Sequence, residues 1–132
     1  MYFWVMLGSA LGGGARYFFS GVIANQFGET FPFGTLIVNV TGSFIIGFFA
    51  TLTGPDGRIL VRTEGRMFFM TGICGGYTTF SSFSLQTLNL VRDGEIGLAG
   101  ANIGMSVIFC LLAVWAGHVA ALSINQLKGA RS

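Results

Sequence analysis

The chain has 132 residues, of which 52% are hydrophobic and only 9% charged, with a formal net charge of +2. A soluble domain carries roughly 25% charged residues, so this chain has too few to cover a water-facing surface and reads as an integral membrane protein. The small net charge, with no basic run and no alternation of basic and aromatic residues, excludes nucleic acid as the partner.

A helical span needs about 20 mostly apolar residues. Four segments meet this, near 2–23, 33–53, 67–91 and 97–123, so the whole of 1–132 is expected to be one all-α, four-helix transmembrane domain in a lipid bilayer. No soluble domain, repeat or long tail is expected beside it.

The first segment opens Met-Tyr-Phe-Trp, without a basic n-region or a small-residue cleavage site, and so reads as a membrane helix and not a removed signal. Trp4 suits an interfacial belt. Gly8-x-x-x-Gly12 and Ala10-x-x-x-Gly14 predict close helix packing. Arg16, in "GGGARYF", lies well inside the span. Its stem can snorkel to the interface, or its charge can face a water-filled vestibule and attract anions.

Residues 24–32, with Gly28, Glu29 and Pro32, read as a loop before the second span. In that span Asn39 and Ser43 stand four apart and share a face. The loop 54–66 holds Arg58, Arg62 and Arg66.

The third span contains "CGGYTTFSSFS" at 74–84, with five Ser or Thr hydroxyls in its last seven residues. Gly75-Gly76 predicts a helix broken in mid-membrane, which is tolerated only inside protein or beside a cavity. The first half is expected to end near Gly75 with free carbonyls, which suit a cation. The second is expected to begin near Thr79 with free N–H groups, which suit an anion. Phe80 and Phe83 follow three apart on one face, and the positive edge of an aromatic ring tolerates an anion.

Residues 92–96 read as a tight polar turn. The fourth span carries Asn102 and Ser106, again four apart, and Gly100-x-x-x-Gly104. Trp115 lies deeper and is expected to pack against a neighbour, as is His118. Cys74 and Cys110 show no metal or redox spacing and read as small packing residues.

No Asp or Glu falls inside a predicted span, which weighs against a small proton-coupled drug exporter, the alternative four-span reading. No catalytic triad, phosphate loop or metal cluster is present, so an enzyme is not expected. A scaffold subunit would explain the glycine pairs but not the predicted break. Neutral donors are what remain in the spans, and amides and hydroxyls can donate to an anion. The residues alone therefore point to a small-anion pathway.

The motifs "GGGARYF" at 12–18, "PFGTLIVNVTGSFIIG" at 32–47 and "TGICGGYTTFSSFS" at 71–84 resemble those of the Fluc family of fluoride channels, also called CrcB proteins, and the resemblance covers nearly the whole chain. It implies a fluoride-selective channel for passive export from the bacterial cytoplasm, in the inner membrane, built as an antiparallel, dual-topology homodimer. It also implies a central structural sodium ion held by the backbone carbonyls of Gly75 and Thr78 of each subunit. On the same basis Phe80, Phe83 and Asn39 face fluoride, Ser81 and Ser84 form a hydroxyl track, and Asn102 and Ser106 are pore-facing. Asn102 departs from the tyrosine found in some members.

The charges pull against dual topology. Arg58, Arg62, Arg66, Lys128 and Arg131 fall on one side of a four-span arrangement and Arg92 on the other. The positive-inside rule then puts both termini in the cytoplasm.

Overall fold

The computed structural model describes residues 1–131, with side chains through Leu127. Lys128 and Arg131, two of the charges in the topology argument, have side chains outside the described residues. Among the described residues all regular structure is helical. Helix α1 spans Tyr2–Phe27 and α2 spans Phe33–Leu52. Helix α3 begins with a turn at Thr63–Arg66, continues as a π-helix over Met67–Cys74 and ends with Gly75–Tyr77. Helix α4 spans Phe80–Arg92 and α5 spans Ile96–Arg131. Among the described residues, two helices are long and apolar enough, by length and hydropathy, to cross a membrane, Phe33–Leu52 and Ile96–Leu127.

Turn chemistry sets two of the ends. Gly28 and Gly94 have φ of 81° and 79°, a region where a Cβ is strained, and they close α1 and the α4–α5 turn. Helix α3 starts at Thr63, four residues before the expected span, with Glu64 in its first turn, where a carboxylate suits the positive helix end.

The helices pack as two close pairs, α1 with α3 and α2 with α5, joined by α1 against α2 and by α4 against α5. Glycine makes both pairs possible. A Cβ on Gly8 would meet the Phe68 carbonyl, and one on Gly12 the Ile73 carbonyl. From the other side, a Cβ on Gly76 would lie 2.5 Å from the Ser9 carbonyl. Along the α2–α5 seam, Gly47 faces the Val114 backbone and Gly117 faces that of Phe44. The C-terminal end of α2 is then tied to α5. Thr51 Oγ1 lies 2.7 Å from His118 Nδ1, and Asn125 Nδ2 donates to the Thr51 carbonyl at 3.1 Å.

Three other glycines behave differently. Nothing lies within 4 Å of a Cβ built on Gly14, Gly100 or Gly104. The expected close packing at Gly100-x-x-x-Gly104 therefore does not occur within this chain. Trp115, expected to pack against a neighbour, is 63% exposed. Much of the molecule shares this character. The buried apolar side chains are few and small, and Phe, Leu, Ile and Trp side chains on every long helix lie exposed. An apolar exterior of this extent suits lipid and further protein, not water.

Candidate functional site: a groove at the junction of two helices

The helical path of residues 63–92 is interrupted at Thr78 and Thr79. Both are extended, with φ, ψ of −82°, 154° and −149°, 116°. This corrects the expected position of the break. Gly75 is helical, at φ −64° and ψ −36°, and Gly75–Tyr77 continues the turn. The Gly75-Gly76 pair is not where the helix ends, because Gly76 is needed for the approach of the Ser9 backbone.

Side chains make the interruption. Asn39, reaching from α2, pairs with the main chain of Thr79 in both directions. Its Oδ1 accepts from Thr79 N at 2.7 Å, and its Nδ2 donates to Thr79 O at 3.0 Å. Thr79 then caps α4, its Oγ1 accepting from Ser82 N at 3.1 Å. In a continuous helix the N–H groups of Thr79 and Ser82 would go to the carbonyls of Gly75 and Thr78. Both are taken by side-chain oxygens instead. The Thr78 N–H and hydroxyl both go to Cys74 O, at 3.0 Å each. The two carbonyls assigned to a cation are thus among those deprived of their helical donors at the interruption.

Beside this junction lies a groove of about 410 Å³. It brings together Asn39 and Ser43 from α2, Gly75 and Thr78 from the end of α3, Phe80 and Phe83 from α4, and Ser106 and Cys110 from α5. Phe80 and Phe83 lie with ring centroids 5.4 Å apart and planes 46° apart, and Phe80 is 79% exposed. Helix α4 points its N-terminus into this space, so its first N–H groups give the groove a partial positive charge.

Other predicted residues lie outside the groove lining. Ser84 donates to the Phe80 carbonyl at 2.9 Å, which occupies its proton within its own helix. Ser81 stands exposed, 3.3 Å from the Thr79 hydroxyl. Asn102 does not line the groove and is only 2% exposed. A chain of hydrogen bonds runs through it: Ser106 Oγ to Asn102 Oδ1 at 3.5 Å, Asn102 Nδ2 to Thr87 Oγ1 at 2.9 Å, Thr87 Oγ1 to the Phe83 carbonyl at 2.8 Å. That chain fixes α4 against α5. Arg16 is half-buried on α1 and lines neither this groove nor the cavity described next.

Further along α4, a second cavity of about 570 Å³ is lined by Gln86, Asn89 and Asp93 with Tyr17, Ser20 and Glu29. Phe80, Phe83 and Gln86 recur every three residues, so one side of α4 leads from the groove to this polar space. Gln86 Oε1 is buried there without a hydrogen-bond partner. Cys110 and Gln86 were not among the predicted site residues. The spacing of Cys110 four residues after Ser106, and of Gln86 three after Phe83, was the available signal.

Among the described residues no group of three or more His, Cys, Asp or Glu side chains could hold a metal ion. A cation here would depend on backbone oxygen, and the bared carbonyls of Gly75 and Thr78 fit a hard, weakly charged ion that prefers oxygen ligands.

Comparison with known proteins places the chain. Residues 3–118 match the family model described as "CrcB-like protein, Camphor Resistance (CrcB)". Proteins named "Fluoride-specific ion channel FluC" from Methylocella silvestris and Opitutus terrae are each 62% identical over 129 residues, covering 98% of this chain and 98% of their own. One of the same name from Rhodospirillum rubrum is 57% identical over 125 residues, 95% of this chain and 97% of its own. A likeness of this depth over nearly the full length means that the chain belongs to the CrcB family.

Proposed function

We propose that the protein is a fluoride channel that lets the anion leave the bacterial cytoplasm passively across the inner membrane. The observation that carries the anion reading is the convergence of the α4 N-terminus, the Phe80 and Phe83 rings and the Asn39 amide on one groove. The names of the full-length relatives supply the identity of the anion.

The path runs along α4. Fluoride loses water slowly and needs donors at close range, and aromatic edges let it pass without a deep trap. Asn39 has two amide protons and spends one on Thr79, which leaves one for the groove. Ser81, Ser84 and Asn102 support the path from outside its lining. Arg16 draws anions toward the mouth.

The working unit is an antiparallel homodimer of dual topology, in which 63–92 forms one crossing from two half-helices broken in mid-membrane. Neither α3 nor α4 alone reaches the length of a span, and the exposed apolar faces of the chain ask for lipid and for a second copy. A sodium ion bound by the Gly75 and Thr78 carbonyls of both copies would supply fixed positive charge at the dimer centre.

Liposomes loaded with fluoride and carrying the purified protein test the reading. Fluoride efflux is expected, with chloride efflux far slower. Equal flux of both ions, or none from a folded protein, would refute it.

A further inference from the structure

We propose that Asn39 is a positioning residue for the cation site, holding the Gly75 and Thr78 carbonyls open by its grip on Thr79. The proposal rests on the sodium reading above and deepens it.

The geometry carries the argument. A cation held by main-chain oxygen needs carbonyls whose lone pairs are not already given to N–H groups. Residues with helical backbone on either side of a short gap tend to close it, because each helical hydrogen bond formed satisfies two groups. Something must hold the gap apart. Asn39 does so with two hydrogen bonds to one residue, 2.7 Å to Thr79 N and 3.0 Å from its own Nδ2 to Thr79 O. This two-way pairing mimics a strand partner and matches the extended torsions of Thr79. It removes the donor that would otherwise cover Gly75 O. It also presents Thr79 Oγ1 to Ser82 N, which removes the donor for Thr78 O.

Asn39 has little else to do with its oxygen. Its neighbours on α2 that line the groove are Gly42, Ser43 and Ile46. Gly42 in turn lets Thr78 and Tyr77 approach α2, since a Cβ there would meet both side chains. One helix thus sets the gap by two means, an amide that grips Thr79 and a missing side chain that admits Thr78.

Replacing the amide separates this role from that of a groove donor. Asn39→Ala loses both bonds, so the Thr79 N–H has no fixed acceptor and the gap fluctuates, with Gly75 O covered part of the time. Asn39→Asp keeps an oxygen to accept from Thr79 N while placing negative charge beside the cation and in the path of the anion.

The test uses purified, detergent-solubilised protein and reads two things other than flux. One is amide hydrogen exchange at Thr79. The other is the melting temperature in sodium chloride against N-methylglucamine chloride. In Asn39→Ala, Thr79 should exchange at least about fivefold faster than in the wild type. The sodium-dependent rise in melting temperature should be present in the wild type and in Asn39→Asp, and absent in Asn39→Ala. Fluoride flux should fall in both variants.

Wild-type protection of Thr79 in Asn39→Ala, or a sodium effect of wild-type size in it, would overturn the proposal while leaving the channel reading intact. A wild type with no sodium effect overturns the cation assignment itself, and this proposal with it. Asn39→Ser, whose side chain is too short to make both bonds to Thr79, carries the same test where Asn39→Ala does not fold. An undiminished sodium effect in it would likewise overturn the proposal.

Discussion

Helices α3 and α4 follow one another with only Thr78 and Thr79 between them, yet they are built on opposite plans. Helix α3 is held by backbone-to-backbone contact. Gly72 and Gly76 meet Gly8 and Ser9 of α1 at distances that leave no room for a Cβ. Helix α4 has one buried side chain, Leu90, and rests on α5 through the Asn102–Thr87 hydrogen bond. The first plan gives a rigid frame whose end can fix carbonyls in place. The second gives a helix whose side chains are largely free to face an ion. The difference shows that closeness of packing and exposure of chemistry are divided between the two halves of one segment.

The largest effect should come from filling the frame. Gly12→Val would drive side-chain atoms into the Ile73 carbonyl and the Tyr77 N–H, with backbone and not flexible side chains in the way. A loss of about 3 kcal/mol or more is expected, enough to prevent recovery of folded protein. Yield of monodisperse protein on size-exclusion chromatography measures it. Normal yield would mean that α1 and α3 are not as close as described.

The next largest effect should fall on function and spare the fold. Phe80 is mostly exposed and Phe83 half-exposed, so Phe80→Ile and Phe83→Ile remove ring edges with little loss of burial. Fluoride flux is expected to drop at least about tenfold, the rate change of roughly 1.4 kcal/mol in a barrier. The melting temperature should stay close to wild type. A variant that melts early while conducting normally would move the rings from the α4 plan to the α3 plan.

The sequence reading reached the interruption for a reason that the structure amends. Two adjacent glycines are ordinary helix breakers in water, so Gly75-Gly76 drew the break to itself. Their use here depends on a neighbour, α1, that no local pattern reveals. The actual break is made by Asn39, 40 residues away in the chain, and its bond to Thr79 has no signature in either segment. The hydroxyl cluster was visible, but its division was not. Whether Ser84 faces an ion or returns to Phe80 O is decided by rotamer and not by spacing. Helix positions were legible because apolar runs and Gly or Pro punctuation fix them locally. Asn39, Phe80, Phe83 and Ser106 line the groove, while Arg16, Ser81, Ser84 and Asn102 stand outside its lining.

A smaller effect should separate support from lining. Asn102→Leu removes the donor to Thr87 Oγ1 and places an apolar side chain where Ser106 has its acceptor. Two side-chain hydrogen bonds are lost, the second a long one, and the well-formed bond to Thr87 is worth about 1 kcal/mol. The α4–α5 contact should loosen, seen as a lower melting temperature and faster exchange in 80–92 but not in 63–77. Equal loosening of both halves would mean that α3 and α4 are coupled more tightly than their packing indicates.

The smallest effect concerns glycines without neighbours. Gly100 and Gly104 lie on α5, and a Cβ on either meets nothing within 4 Å inside the chain. This contrasts with Gly12, where the same atom meets backbone. In an isolated chain, Gly100→Ala and Gly104→Ala should each stabilise α5 by about 0.5–1 kcal/mol, because alanine loses less backbone entropy in a helix interior. The relevant measurement is unfolding of the purified protein in mild detergent, with dimer content followed in parallel. A rise in stability at constant dimer content would place these glycines on a lipid-facing surface. A loss, with dimer converting to monomer, would show that a second copy comes as close to α5 as α3 comes to α1. The glycine rule that governs the frame within the chain would then also govern its assembly.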